Sequence, residues 1–267
     1  VKLRVLSLLC VALLIVSMNF NFAFSKDDII SVGKVSLISG IVEKLNPESK
    51  EWSKISFNDT INVGDRIRVD NSSKLEICYN DGNILRVGQG SELEVALETI
   101  KLFNGQTWFR IVKVGNKFEV VAPTFVAGVR GTVFSVKVSN NPANKKSSGG
   151  VKVWDGTVET KNEKKTQFVS EGFETAISED LSMSAPATFD VNATGDFAEK
   201  SWQVADSEAA YKRYITLLFS GIDPNEANTN PAIRKQIEIR KKLPEVTEAY
   251  NTYKNFADMQ AIENATR

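Results

Sequence analysis

The chain contains no histidine, and past residue 25 its single cysteine is Cys78. Imidazole is therefore absent as acid, base or ligand, which excludes Ser-His-Asp and Cys-His nucleophiles and nearly all zinc and copper sites. Carboxylates and Ser–Lys pairs remain. Asp59, Asp65, Asp70, Asp81 and Asp155 are scattered through turn-like segments without the D-x-D-x-D-G spacing of a calcium loop. Aspartates in such places accept hydrogen bonds from their own backbone. Glu92 and Glu94 stand at i and i+2, on one face of a strand. A glycosidase needs two carboxylates in different environments on opposite sides of a bond. No S-x-x-K stands out beside a glycine-rich oxyanion turn, and neither G-x-x-x-x-G-K-[ST] nor a strand–G-x-G-x-x-G–helix occurs. The expectation is a protein without catalytic residues, cofactor or metal.

Binding residues are the next class. Trp52, Trp108 and Trp154 each lie near a strand-like run. Buried, they fill a core; exposed, they stack on sugar rings. Trp154, directly before Asp155-Gly156, is the one expected to be exposed and is the candidate ligand contact. The most informative stretch is Phe118 to Val136, where Arg130 sits among apolar neighbours directly before Gly131 and Thr132. An arginine there must be paired or reach a polar surface. The reading is a structural arginine tying the strand end through its fork of donors, with a ligand-gripping role as the alternative.

These residues must be positioned by β-structure. From residue 33 to about 178, short runs of Val, Ile, Phe and Thr alternate with Gly, Asn, Asp and Ser, which predicts a sandwich or barrel rather than βαβ units. Leu75, Ile77 and Tyr79 alternate, Asn80 to Asn83 turns at Gly82, and Ile84 to Val87 returns. Ser39-Gly40 and Asp155-Gly156 are expected to make tight hairpins in the same way. A weak echo links Val35-x4-Gly40-x-Val42-Glu43 to Val151-x4-Gly156-x-Val158-Glu159. Asn140 to Gly150, without an apolar anchor, reads as a mobile insertion. Cys78 reads as a small hydrophobe in a strand.

The composition then changes. Residues 181–197 read as a linker rich in Ser, Ala, Pro, Thr and Asn, and residues 198–267 as a helical tail. Val204, Tyr211, Ile215 and Leu218 form one helical stripe ending at Gly221. Asn230-Pro231 is an N-cap signature, and Pro244 opens a last helix carrying Val246, Tyr250, Tyr253 and Ala257. Each helix has one apolar face that something must cover.

Residues 1–25 read as a cleaved signal peptide: Lys2 and Arg4, an apolar run from Val5 to Val16, then Ala23-Phe24-Ser25. An uncleaved anchor is the alternative. The whole chain carries 33 basic and 33 acidic residues; without Lys2 and Arg4 the balance is 31 against 33. No basic field exists for nucleic acid.

The order of motifs over the β region resembles FecR-like domains. Its members open with Gly-x-Val-x-x-x-x-Gly-x-Val, matched by Gly33 to Val42. A tryptophan follows, matched by Trp52, and then a Gly-Asp step at Gly64-Asp65-Arg66-Ile67. An Asp-Gly hairpin from Leu75 to Gly88 turns at Gly82, and Leu102 to Trp108 matches the next element. Last come Val129-Arg130-Gly131-Thr132-Val133-Phe134 and a Val151 to Val158 hairpin through Gly156. The resemblance implies a β-sandwich or short twisted β-coil over residues 26–180, followed by the helical tail. It also implies a non-enzymatic module that signals or scaffolds through protein contacts. Better-known members are transmembrane regulators whose cytoplasmic segment binds a sigma factor. With residues 1–25 taken by targeting, only the extracytoplasmic half of that logic is expected here. The expected partner is a protein of the periplasm or outer membrane, met by β-augmentation. An envelope glycan held by surface tryptophans is the alternative.

Overall fold

The computed structural model describes residues 29–47, 49–112, 117–192, 202 and 207–265. The expected signal peptide, residues 193–197 of the expected linker, and Val204 of the expected helical stripe lie outside the described residues. Two β-sheets share one strand. Sheet A runs, in spatial order, β4 (Thr60–Asn62), β1 (Ser31–Ser39), β6 (Lys74–Tyr79), β7 (Ile84–Val87) and the second half of β9 (Thr99–Arg110). It continues through β12 (Val133–Asn140), β13 (Ser147–Asp155), β16 (Phe173–Ile177) and β17 (Ala187–Thr188). Sheet B runs β3 (Trp52–Lys54), β2 (Val42–Leu45), β5 (Arg66–Val69), β8 (Glu92–Val95), the first half of β9, and β10 (Phe118–Ala122). It ends with β11 (Phe125–Val129), β14 (Thr157–Lys161) and β15 (Thr166–Ser170). Only β9 and β10 pair in parallel. The expected mainly-β sandwich with a helical tail is what forms.

Alternation explains the core. In β5, β8 and β14 every second residue is buried, and Ile67, Leu93 and Val158 are fully so. Those residues meet Val35, Leu75, Ile77, Phe109 and Phe134 from the other sheet in one apolar cluster. Phe109 and Phe134 stack at 4.9 Å.

The chain repeatedly changes sheet where a hairpin would have kept it in one. Strands β1 and β2, and β13 and β14, belong to different sheets, so Ser39-Gly40 and Asp155-Gly156 are corners and not tight hairpins. That corrects the sequence expectation and gives the weak echo a shared geometry. Gly40 and Gly156 both have positive φ, 78° and 87°. Shared strand β9 bends at Gly105, φ 97°, where an added Cβ would lie 2.4 Å from Ser91 Cα. Only glycine reaches that bend without strain.

Two further expectations change. Asn140 to Gly150 is not an insertion: β12 and β13 pair to their ends, Asn140 against Ser147, around a short turn. The linker expected from residue 181 begins as part of sheet A, with Met183 bridged to Ile177 and β17 paired to β16.

The tail forms α1 (Ser207–Phe219), a 3₁₀ turn (Pro224–Asn228), α2 (Pro231–Lys241) and α3 (Pro244–Ala265). Asn230 caps α2, its side chain accepting from the Ala232 and Ile233 N–H groups, with Pro231 at the first helical position. The helices cover the outer face of sheet A at β1, β6 and β7. There Leu37, Cys78, Ile84 and Trp108 meet Trp202, Leu217, Leu218 and Val246. Strands β6 and β7 are accordingly buried on both faces from Leu75 to Tyr79 and from Ile84 to Val87. The helical stripe differs from expectation. Tyr211 is 47% exposed, and the buried face of α1 runs through Ala210, Arg213 and Leu217. A hydropathy pattern cannot place a charged residue such as Arg213 at a helix's buried centre.

Candidate functional site

Charge is used in two ways. Beneath the tail, Glu76 of β6 is fully buried. Its Oε1 accepts from Ser36 Oγ at 2.8 Å and Arg213 Nε at 3.0 Å; its Oε2 accepts from Arg86 Nε at 2.9 Å and Arg213 Nη2 at 3.0 Å. Arg213 also donates to Glu248 at 3.2 Å. The Arg86 guanidinium lies 4.9 Å from the ring centre of Trp108 and 5.2 Å from that of Trp202. Burial alone would raise the Glu76 carboxyl, but Arg213 and Arg86 override it and hold it at about 2. Burial pushes Glu248 upward. Arg240 of α2 takes no carboxylate here; it donates to the carbonyls of Leu218, Ser220 and Asn80. Burial raises the Cys78 thiol to about 12, which leaves it protonated and inert. This cluster is the clasp that holds the tail, and it is closed to ligands.

The outer face of sheet B is open. It carries cross-strand pairs in contact with solvent: Arg66–Glu92 at 2.7 Å, Arg68–Glu43 at 2.6 Å, Lys101–Glu94 at 2.6 Å and Lys117–Glu159 at 2.9 Å. Arg66 lies over Phe103 and Arg68 over Trp52, so Trp52 has no free ring face on the arginine's side. At the β11–β14–β15 end lies a groove of about 590 Å³ lined by Lys117, Gly128, Arg130, Gly156, Glu159 and Phe168. The Lys117 stem runs over Gly128, where an added Cβ would meet its Cε at 2.2 Å. Phe168 is 64% exposed.

The structure brings Arg130, Gly131, Thr132 and Gly156 together, because the β11–β12 and β13–β14 corners stack. A Cβ on Gly156 would lie 3.1 Å from both Gly131 O and Thr132 Oγ1. Thr132 is buried and joins the corner to the Ile111 backbone in both directions. Arg130 departs from its expected role. It is exposed, and its guanidinium makes no hydrogen bond, ion pair or ring contact with the described residues. Every other described arginine holds a carboxylate, a carbonyl or a ring.

The remaining signature residues lie elsewhere. Gly64 turns the chain from β4 to β5, and buried Asp65 accepts from the Asn62 N–H at 2.9 Å. Gly82 sits at the β6–β7 turn under Arg240. Trp154 is not the exposed platform expected: its Nε1 donates to Val191 O, and Phe189 meets its ring edge-on at 5.1 Å. The aspartates behave as turn residues, with Asp59, Asp70 and Asp81 accepting from nearby backbone N–H groups. Among the described residues no group of three or more potential ligands could hold a metal ion. Sequence reasoning passed over Lys117, Gly128 and Phe168. The signal for Phe168 was inverted: Val169 must point to the core, so Gln167 goes in and Phe168 comes out.

The stretch from Asp65 to Glu159, spanning β5 to β14 and both stacked corners, is the part of the chain that a known family resembles. Residues 65–159 match the FecR protein family. The FecR segment contains Arg130, Gly131, Thr132 and Gly156, and it leaves β1 to β4, β15 to β17 and the helices outside. Two crystal structures of a "putative anti-sigma factor" from Parabacteroides distasonis, at 1.65 and 2.50 Å resolution, are similar to 48% of this chain at 16% and 15% identity, with TM-scores of 0.43 and 0.42. The similarity covers 62% of those chains, less than two thirds of their length. No curated protein matches the chain.

Proposed function

We propose that this is an exported, non-enzymatic FecR-type module of the cell envelope that signals or scaffolds by protein contact, with the outer face of sheet B as its docking surface. One observation carries the reading. The tail occupies sheet A and uses its arginines, whereas Arg130, beside a groove on sheet B within the FecR segment, has no partner among the described residues. A guanidinium beside a groove lined by Gly128, Gly131 and Gly156 favours an extended partner segment bearing a carboxylate, which arginine takes in two parallel bonds. Phe168 offers that segment an apolar wall. Export rests on the character of residues 1–25. The glycan alternative loses its support, since Trp154 is engaged by Val191 and Phe189.

The test is a photo-crosslinking residue at Thr157, exposed on the groove rim, in intact cells. A discrete protein adduct, abolished by Arg130→Glu, is expected. No adduct, or one indifferent to Arg130→Glu, would overturn the reading.

A further inference from the structure

The four sheet edges are unlike one another. Strands β3, β4 and β17 are two or three residues long, and β3 ends in Lys54. Strand β15, Thr166–Ser170, is five residues long and contains neither charge nor proline. Natural proteins shorten or charge their edges to prevent pairing with other chains. This edge has been left sticky.

Its hydrogen-bond phase follows from the turn. Asn162 N–H donates to Lys165 O, and Glu171 N–H donates to Gly156 O. The register pairs Lys161 with Thr166 and Thr157 with Ser170. Antiparallel ladders alternate between bonded and non-bonded pairs. The β15 backbone groups aimed at β14 are therefore those of Gln167 and Val169. Those of Thr166, Phe168 and Ser170 point away from the sheet, and no backbone hydrogen bond from another segment reaches them among the described residues.

We infer that a second copy of this chain occupies this edge, its own β15 lying antiparallel about a two-fold axis through Phe168. In that register Thr166 faces the partner's Ser170, and Phe168 faces the partner's Phe168. Each pair exchanges two backbone hydrogen bonds, and the two exposed phenyl rings stand opposite one another. Just beyond the strand, Lys165 falls opposite the partner's Glu171. Both are exposed, and neither has an ion pair within the described chain. A single register thus makes the edge complementary to itself in hydrogen bonding, apolar contact and charge. An isologous contact of this kind also closes, because it consumes both β15 edges and leaves only short ones. The result is a dimer rather than a fibre. The inference goes beyond the Arg130 reading: Phe168 lines the groove with its ring, but the contact between copies is made by the β15 backbone at the rim, away from Arg130.

The measurement is sedimentation equilibrium of the purified chain, supported by native mass spectrometry. A dimer is expected. Phe168→Lys places two cations on the axis and should give a monomer with an unchanged far-UV spectrum. Lys165→Glu should weaken the dimer roughly tenfold, and Lys165→Glu with Glu171→Lys should restore it. Arg130→Glu should leave it intact. A monomer at every concentration, a dimer indifferent to Phe168→Lys, or no rescue by the charge swap would overturn the inference. None of those results would touch the docking role of Arg130.

Discussion

On the outer face of sheet A, Glu76 is held by Arg86 and Arg213 with all three side chains at most 2% exposed. On the outer face of sheet B, Arg66 and Glu92 make a similar pair at 40% and 36% exposure. The distances are nearly equal, yet the energetics are not. Water screens the open pair, so its attraction is small and its loss is tolerated. The closed cluster has given up its hydration, and each member depends on the others. The same chemical pairing therefore acts as a clasp on one face and as a solvated, reusable surface on the other. The comparison also explains why the free arginine lies on sheet B, where an unpaired guanidinium keeps its water. Under the tail it would be prohibitive.

Glu76→Ala should break the comparison most sharply. It strands two buried guanidiniums and should destabilise the protein by about 3–5 kcal/mol in urea unfolding. A loss below about 1 kcal/mol would mean that water reaches the cluster. Replacing Glu76, Arg86, Arg213 and Glu248 together with Leu, Met, Leu and Gln should cost far less than Glu76→Ala alone, since no charge of the cluster is left behind.

Acid should act on the same face. The folded Glu76 carboxyl is depressed, so its contribution is complete above its ordinary value near 4.5 and is lost as pH falls toward about 2. Glu248, raised by burial, works in the opposite direction. Emission from Trp108 and Trp202 should report release of the tail over that window, and Glu248→Gln should preserve the transition. Emission unchanged down to pH 2 would remove Glu76 as the clasp.

Smaller effects are expected where backbone geometry is the constraint. Gly105→Ala meets Ser91 at a positive-φ bend and should cost about 1–3 kcal/mol by thermal unfolding. Smallest of all, Arg68→Ala removes an open pair and should change stability by less than about 1 kcal/mol, with a salt dependence that disappears in the variant. A larger loss would show that sheet B's charges are structural too.

Legibility followed the range of each interaction. Strand alternation at Leu75, Ile77 and Tyr79, the Asn230-Pro231 cap and the Gly82 turn are local, and each appears in the structure where the residues implied it. The corners at Gly40 and Gly156 were misread as hairpins, because a positive-φ glycine allows either geometry and only the distant partner strands choose between them. Glu76 and Arg86 stand opposite one another across β6 and β7, a pairing that sequence could suggest. Their third member, Arg213, arrives from a helix far along the chain.

By itself the sequence determined the class of protein: a β-rich fold of short alternating strands, a helical tail in need of a cover, and no imidazole for catalysis or metal. Periodicity and residue chemistry suffice for that, because they act over a few residues. Only the tertiary structure decided which face the tail would cover, that Trp154 would be engaged, and that Arg130 would stand free above the groove. Those outcomes depend on contacts between distant segments, 37 residues apart for Trp154 and Val191 and 137 for Glu76 and Arg213. Burial and charge satisfaction in such contacts are settled jointly, and no local pattern records them.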